Sequence, residues 1–457
     1  MSFALRFLRA APIAPEIADI EHVKTKYKHW RVRIMYSMFL GYVFYYFTRK
    51  SFAFAMPAIM TELHFDKGQL GLIGTIFSLT YGISKFFSGV LSDQANPRYF
   101  MALGLILTGI FNILFGFSSS LFLFTIFWGL NAWFQGFGWP PCVKLLSYWY
   151  SHSERGSWWS VWALSQNVGS ILAVAIVTFC LVKFGWRLAM FIPGVLSILG
   201  GLFLLNRLSD IPQTLGLPPV EKFRNDYAGI SKKTEESKEQ FSSKELMSSV
   251  LRNKYIWLLA IAYFFVYFIR TGIGDWTTLF MMESKGYSQI GASSIASLFD
   301  VGGFLGGFSA GWLSDHGFKA RRGPVNALFA LLLFISVGSV WFIPGGHAWM
   351  DSCMVFMIGF ATFGPQMLIG VAVAEFAHKQ ASATATGLAS WIAYLGSALA
   401  GYPLGKVLDY MSWEGFFICM EISALCSVLL LLPLWNATKE SVLSKAKQAL
   451  IGEKVAT

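Results

Sequence analysis

The feature that most constrains this chain is a series of long apolar stretches separated by short polar breaks. Stretches of about 20 apolar residues are long enough to cross a membrane as helices, whereas the strands of membrane barrels alternate polar and apolar residues. Here the stretches are apolar on nearly every face, so the sequence predicts an all-α membrane protein with twelve transmembrane helices. The predicted spans are 34–62, 69–91, 99–117, 121–146, 157–182, 186–206, 255–281, 288–312, 324–343, 349–375, 383–404 and 414–436.

The chain carries too few charged residues to cover the surface of a soluble protein of this size. Charged residues make up 13% of the chain, against about 25% in ordinary soluble domains. The five cysteines and seven histidines show no metal-ligand spacing, and no nucleophile stands beside a base. The mid-span glycines at 302–307 predict close helix packing and not a nucleotide loop. We therefore expect no enzyme, no metal and no cofactor.

The distribution of Lys and Arg predicts the orientation in the membrane. An even number of spans puts both termini on one side, where 26 of the 36 Lys and Arg residues fall, against five in the opposite loops. Cytoplasmic loops are rich in these residues, so both termini are predicted to be cytoplasmic in the cell inner membrane. The net charge of +11 then indicates contact with the lipid bilayer and not with nucleic acid. The predicted parts are an arm (1–33), a six-helix bundle (34–209), a cytoplasmic linker (210–254), a second six-helix bundle (255–436) and a cytoplasmic tail (437–457).

The two predicted bundles repeat the same residues at a nearly constant spacing. The pairs are Arg49 and Arg270, 89–93 and 311–315, and 139–140 and 364–365, at offsets of 221, 222 and 225. The second pair reads Gly-x-Leu-Ser-Asp and is followed by basic residues, which resembles the signature loop of the major facilitator superfamily. Two pseudo-symmetric six-helix bundles are the architecture of that superfamily, in which substrates bind near the bilayer midplane.

Ionisable residues inside the predicted spans indicate where function lies, since each costs on the order of 3 kcal/mol at the membrane centre. The cations are Arg49, Lys50, Lys85, Lys144 and Arg270. The acids considered as their ion-pair partners are Asp275 and Asp300. Salt bridges between the bundles are expected for Lys50 with Asp275 or Asp300. Lys144 is expected to reach the cytoplasmic surface.

The remaining charges predict an anion site. With Lys50 paired, Arg49 and Arg270 are expected to lack dedicated acids, and the planar guanidinium matches two oxygens of a phosphate. Two arginines balance a phosphate that is close to dianionic at neutral pH, and Lys85 adds a further charge. A phosphate therefore fits better than a carboxylate. Side chains that could bind a neutral polyol body are Tyr42, Tyr46, Asn131, Gln135, Trp139, Gln166, Tyr267 and Tyr394, although ordinary helix packing explains many such residues equally well.

Several motifs together resemble the organophosphate:phosphate antiporter family of that superfamily, most closely its bacterial hexose-phosphate sensor and transporter proteins. The resemblance runs from about Tyr27 to Asn436. The motifs are 27–31, 45–50, 84–86, 135–142, 210–213, 216–219, 364–370 and 400–409.

The resemblance implies exchange of a sugar phosphate, with glucose 6-phosphate expected, for inorganic phosphate. It implies that Arg49 and Arg270 bind the phosphate with help from Lys85, and that Lys50, Asp275 and Asp300 form bridges that rearrange. Gln166 stands where glycerol-phosphate members carry a histidine, so a sugar hydroxyl contact is expected there, and Phe363 replaces a tyrosine of those members. Three alternatives stay open: a receptor that senses external hexose phosphate through a partner, an antiporter for glycerol 3-phosphate, and a carrier of carboxylates.

Overall fold

A computed structural model gives the fold of residues 11–226, 248, 250–319, 321–343, 347–377 and 382–437. The outer part of the predicted arm, the middle of the predicted linker and nearly all of the predicted tail lie outside these described residues. The described residues are mostly helical and form no strand. The helices are α1 (Ile20–Leu63), α2 (Lys67–Gln94), α3 (Pro97–Phe117), α4 (Leu121–Gln135), α5 (Trp139–Trp149), α6 (His152–Phe184), α7 (Trp186–Arg207), α8 (Val220–Arg224), α9 (Lys254–Glu283), α10 (Gln289–Trp312), α11 (Arg322–Phe342), α12 (Ala348–Phe376), α13 (Ser382–Leu399) and α14 (Tyr402–Leu431).

These helices follow the predicted spans and confirm the all-α membrane fold. Nine stretches of the described chain are long and apolar enough to cross a membrane, and one of them, Thr384–Leu434, covers the last two predicted spans. The predicted span 121–146 is divided between α4 and α5 by a turn at Gly136–Gly138. Large apolar side chains such as Phe122, Phe179 and Phe308 are well over half exposed, which suits a surface solvated by lipid.

Local sequence signals explain where individual helices begin. The side chain of Asn96 accepts a hydrogen bond from the backbone of Arg98, and Pro97 occupies the first position of α3, where no backbone donor is needed. Gly185 separates α6 from α7 with a φ of 86°, a conformation that residues with a Cβ avoid. The α7 helix ends against two arginines, because Arg33 donates to the carbonyls of Asn206 and Arg207 and Arg98 to that of Leu205.

The described chain divides into two compact units, and the first also contains the arm and the start of the linker. Unit 1 consists of Met1–Phe52 and Thr80–Gln240. The arm runs alongside the segment after α7, with the backbone N–H of Ala14 donating to Gln213 (3.0 Å) and that of Ile17 to Gly216 (2.9 Å). Asp210, the first residue of the predicted linker, is 2% exposed and accepts from the backbone of Ala11. Residues 210–226 are therefore packed within this unit, and the predicted linker boundary at Asp210 stays a prediction.

Aromatic and ionic contacts fasten residues 210–226 to the helices of unit 1. Tyr27 donates to the carbonyl of Pro218 (2.6 Å) and stacks on Phe223, with ring centroids 4.0 Å apart. Glu154, in the first turn of α6, lies 2.6 Å from Arg31 and 3.8 Å from Arg224. Although partial burial favours its neutral form, the hydrogen bond and charges from these arginines hold the pKa of Glu154 below its ordinary value.

Unit 2 consists of Ala53–Leu79 and Phe241–Thr457, so it includes the end of α1 and the start of α2. The start of α2 is capped twice. Asp66 and Gln69 exchange side chain to backbone hydrogen bonds in a capping box. Asp409 of α14 accepts from the backbone N–H groups of Lys67 and Gly68, each at 3.0 Å, and also pairs with Lys406 at 3.1 Å.

The glycine run at 302–307 packs as the sequence predicts. A Cβ added to Gly302 or Gly306 would overlap the backbone carbonyl oxygen of Phe356 or Phe360, so α10 and α12 touch backbone to backbone. The predicted domain boundaries themselves, at 34, 210, 255 and 437, stay predictions.

Candidate substrate-binding site

Helix α1 places Arg49 among aromatic rings. Tyr46 precedes Arg49 by one helical turn and lies on the same helix face. The guanidinium carbon of Arg49 is 5.1 Å from the centroid of the Tyr46 ring and 4.6 Å from that of Tyr81 on α2. Both tyrosines are buried. Cation–π attraction in such a desolvated setting is worth about 2 kcal/mol.

Helix α9 repeats this arrangement for Arg270 in unit 2. Tyr267 again precedes the arginine by three residues, and the guanidinium carbon of Arg270 is 5.4 Å from the ring centroids of both Tyr267 and Phe363. Tyr267 in turn packs edge-on against Tyr394, with centroids 5.5 Å apart. Each unit therefore holds an arginine against two rings, one of which is a tyrosine from the preceding helical turn.

This setting suits recognition of an anion that offers two oxygens to one guanidinium. Rings attract the faces of a guanidinium, whereas its N–H donors lie in the plane and point out from its edges. The Nε atom of each arginine is buried and makes no hydrogen bond within the described chain, while both residues make other interactions. An arrangement of this kind can present paired donors to the oxygens of a phosphate.

Lys85 lies beside a cluster of aromatic side chains in unit 1. Its ammonium nitrogen is 5.6 Å from the ring centroid of Trp139. Trp139 and Tyr42 both pack on Trp162, each with centroids 4.9 Å apart. The structure thus brings Lys85, Trp139 and Tyr42 into one cluster, and their contact with substrate stays a prediction.

The predicted polar contacts fall into two kinds. The hydroxyl of Tyr46 donates to Gln166 (3.1 Å), which joins two predicted site residues, and Gln166 is only half-buried. Asn131 and Gln135 are fully buried, and their amide nitrogens donate to helix α1 instead of pointing to open space. Contact of either amide with a sugar stays a prediction.

The predicted bridging residues are partly sheltered. Asp300 is buried in α10, and Lys50 and Asp275 are half-buried in α1 and α9. All three make interactions within the protein. Their pairing with one another, and the expectation that the two arginines have no dedicated acids, stay predictions.

The charge balance drawn from the sequence left out Asp351 and Glu421, which also lie inside predicted spans. Asp351 of α12 is fully buried and lies 3.3 Å from Lys285, and its other oxygen accepts from Tyr287 (2.7 Å). Glu421 lies in α14 with one buried oxygen that has no hydrogen-bond partner in the described chain. A charge balance drawn from Asp275 and Asp300 alone is therefore incomplete, although the sequence itself contained the signal.

The structure shows contacts of two other side chains that the sequence did not predict. Tyr81 contacts Arg49 but was not predicted as a site residue, and its position one helical turn before Lys85 could have indicated it. The ammonium of Lys144 donates to the carbonyls of Ser92 (3.4 Å) and Ala95 (2.7 Å) near the end of α2, and its reach to the cytoplasmic surface stays a prediction. The ammonium thereby satisfies carbonyls that a helix end leaves open.

The comparison with protein families decides the family. The sequence profile described as the Major Facilitator Superfamily matches residues 38–401. The chain belongs to this superfamily. It is an integral membrane protein of a superfamily of transporters, and not of a family of enzymes.

Relatives within the superfamily confirm the resemblance to hexose-phosphate proteins. The chain is 51% identical over 455 residues to a "Probable hexose phosphate transport protein" of Chlamydia pneumoniae, and the match covers 98% of this chain and 100% of the relative. It is 46% identical over 434 residues to the "Membrane sensor protein UhpC" of Escherichia coli K12, covering 95% and 98%. Its fold matches a bacterial homologue of the human lysosomal transporter Spinster with a TM-score of 0.68 at 18% identity, over 91% of this chain and 98% of that one.

Proposed function

We propose that this chain is a secondary transporter that exchanges hexose 6-phosphate, most simply glucose 6-phosphate, for inorganic phosphate by alternating access. It works in the cell inner membrane with both termini in the cytoplasm. The observation that carries the proposal is the arginine that each unit holds against a tyrosine of the preceding turn and a second aromatic ring. The identity of 51% to a hexose phosphate transport protein supports the sugar phosphate as substrate.

In this proposal Arg49 and Arg270 bind the phosphate, and Lys85 assists. A phosphate monoester carries close to two negative charges at neutral pH, so a dianion and two guanidiniums are nearly neutral together. Enclosing that set in a low-dielectric interior costs less than enclosing the cations alone. Loaded forms therefore reorient faster than the empty form, which makes the transport an exchange. Tyr42, Tyr46, Trp139, Gln166, Tyr267 and Tyr394 contact the sugar, and Lys50, Asp275 and Asp300 form bridges that rearrange.

Counterflow in proteoliposomes tests this function. Vesicles loaded with phosphate are expected to take up labelled glucose 6-phosphate and to release phosphate only when an external organophosphate or phosphate is present. Arg49→Lys and Arg270→Lys should each lower the exchange rate at least tenfold, because a lysine lacks the paired planar donors. Arg187→Lys, at the start of α7, is the control and should change the rate less than twofold. Equal phosphate release with and without an external anion would contradict exchange.

A sensor is the second candidate function, favoured by the identity of 46% to a membrane sensor protein over 95% of the chain. Such a receptor would bind external hexose phosphate with the same residues and signal to a membrane partner. Binding without counterflow in vesicles that contain no other protein would decide for the sensor. Competition among glucose 6-phosphate, glycerol 3-phosphate, phosphate and a dicarboxylate would rank the possible substrates, and failure of phosphate to compete would remove the organophosphate proposal.

A further inference from the structure

Two buried side-chain amides, those of Gln135 and Asn131, donate hydrogen bonds to the turn of α1 that carries Arg49. We call this arrangement the amide grip. The Nε2 of Gln135 on α4 donates to the carbonyl of Tyr45 (3.1 Å) and to the hydroxyl of Thr48 (2.9 Å). The Nδ2 of Asn131, one turn earlier on α4, donates to the carbonyl of Thr48 (3.1 Å). Gln135 is 1% exposed and Asn131 is 0% exposed, so these bonds form away from water.

The gripped carbonyls are those closest to Arg49 along the backbone. In an α-helix the carbonyl of residue 45 also accepts from the backbone N–H of residue 49, and the carbonyl of Thr48 belongs to the peptide bond with Arg49 itself. A further hydrogen bond holds the same turn, because the hydroxyl of Tyr45 donates to the carbonyl of Met101 on α3 (2.8 Å). The backbone that bears this guanidinium is therefore held from two neighbouring helices.

The repeat does not reproduce this grip. At the offset of 225 that relates Trp139 to Gly364, the counterparts of Asn131 and Gln135 are Phe356 and Phe360. Their side chains have no donor, and their backbone carbonyls instead lie against Gly302 and Gly306 of α10. The amide grip thus belongs to the Arg49 turn, and the two aligned positions in unit 2 carry no side-chain amide.

We propose that Gln135 and Asn131 are positioning residues that hold Arg49 ready for phosphate, and that they do not touch the sugar. The inference rests on the proposed function, since it assigns Arg49 to phosphate binding. A preorganised donor binds more tightly because less freedom is lost when the anion arrives. The grip makes Arg49 the arginine whose backbone is held by side-chain amides.

The test measures binding of inorganic phosphate, alone and without sugar, by calorimetry on the purified full chain. Gln135→Met keeps the length of the side chain and removes its donors. It should weaken phosphate binding about tenfold, as expected for the loss of one or two buried hydrogen bonds. The control is Asn112→Leu, which removes another fully buried amide of unit 1, bonded to Ser51 and to the carbonyl of Met190, and should change phosphate binding less than twofold. If Gln135→Met cannot be purified, Thr48→Val removes one of its acceptors and should shift binding in the same direction.

A second measurement follows the arginines themselves. Modification by phenylglyoxal, counted by mass spectrometry in the absence of any anion, should become severalfold faster at Arg49 in Gln135→Met and stay unchanged at Arg270. Absence of phosphate binding in the unmodified protein would overturn the proposed function. Wild-type phosphate affinity in Gln135→Met combined with weaker hexose-phosphate binding would overturn only the present inference, because it would make Gln135 a sugar contact. Equal loss in Asn112→Leu, or equal change at both arginines, would overturn it as well.

Discussion

Replacing Asp409 with alanine is expected to lower the free energy of unfolding by about 1–2 kcal/mol. The first backbone N–H groups of a helix have no acceptor within it, and Asp409 accepts from two of them at the start of α2, at 3.0 Å each. Loss of a side chain that caps a helix costs about 1 kcal/mol, and loss of a negative charge at a helix start adds up to about 1 kcal/mol. The pair with Lys406 is partly exposed and adds little.

The assay is unfolding in mixed micelles with increasing denaturing detergent, followed by tryptophan fluorescence. Asp409→Asn keeps one acceptor oxygen and should lose about half as much stability as Asp409→Ala. Tyr410→Ala removes the neighbouring side chain, which is 85% exposed, and should leave the midpoint nearly unchanged. The reasoning is refuted if Asp409→Ala unfolds with the wild-type midpoint, or if Tyr410→Ala loses as much.

Three further changes test other parts of the fold. Gly306→Ala should destabilise the protein by at least about 2 kcal/mol in the same unfolding assay, because its Cβ would overlap the carbonyl of Phe360, whereas Gly311→Ala has open space and should be neutral or slightly stabilising. Tyr27→Phe should cost about 1 kcal/mol by removing the hydrogen bond to Pro218, and a wild-type midpoint would show that this bond adds nothing. The pKa of Glu154 is depressed in the folded state, so its contribution is present above the ordinary pKa of 4.5 and is lost as the pH falls through the folded value. The midpoint difference between wild type and Glu154→Gln should therefore be largest at neutral pH and shrink under acid, and a difference independent of pH would contradict the shift.

Much of the fold followed from apolar length, because lipid requires an apolar helix and the sequence supplies one at most of the predicted spans. The turn at Gly136–Gly138 was not predicted, since Gly-Phe-Gly is as apolar as the helix around it. The packing of residues 210–226 was missed for the opposite reason. Their proline and polar residues indicate a linker, and only contacts with residues about 200 positions earlier show that they are folded.

The candidate site was predictable where its contacts are local. Tyr46 and Tyr267 each stand three residues before an arginine, and helical spacing alone puts them on the same face. Tyr81 and Phe363 belong to other helices, so their rings could be placed only once the helices were packed. The same holds for Gln135, whose residue type suits a sugar hydroxyl and a buried carbonyl equally well.

The pairing of the amino-terminal arm with residues 213–216 sets an order of events during synthesis. Ala14 and Ile17 leave the ribosome long before Gln213 and Gly216, their hydrogen-bond acceptors, have been made. The arm must therefore wait until α7 is complete before it can dock. A ribosome that stalls or a chain that is cut before residue 216 would leave the buried face of Tyr27 without its cover, so such fragments should be recognised by proteases at their amino-terminal end.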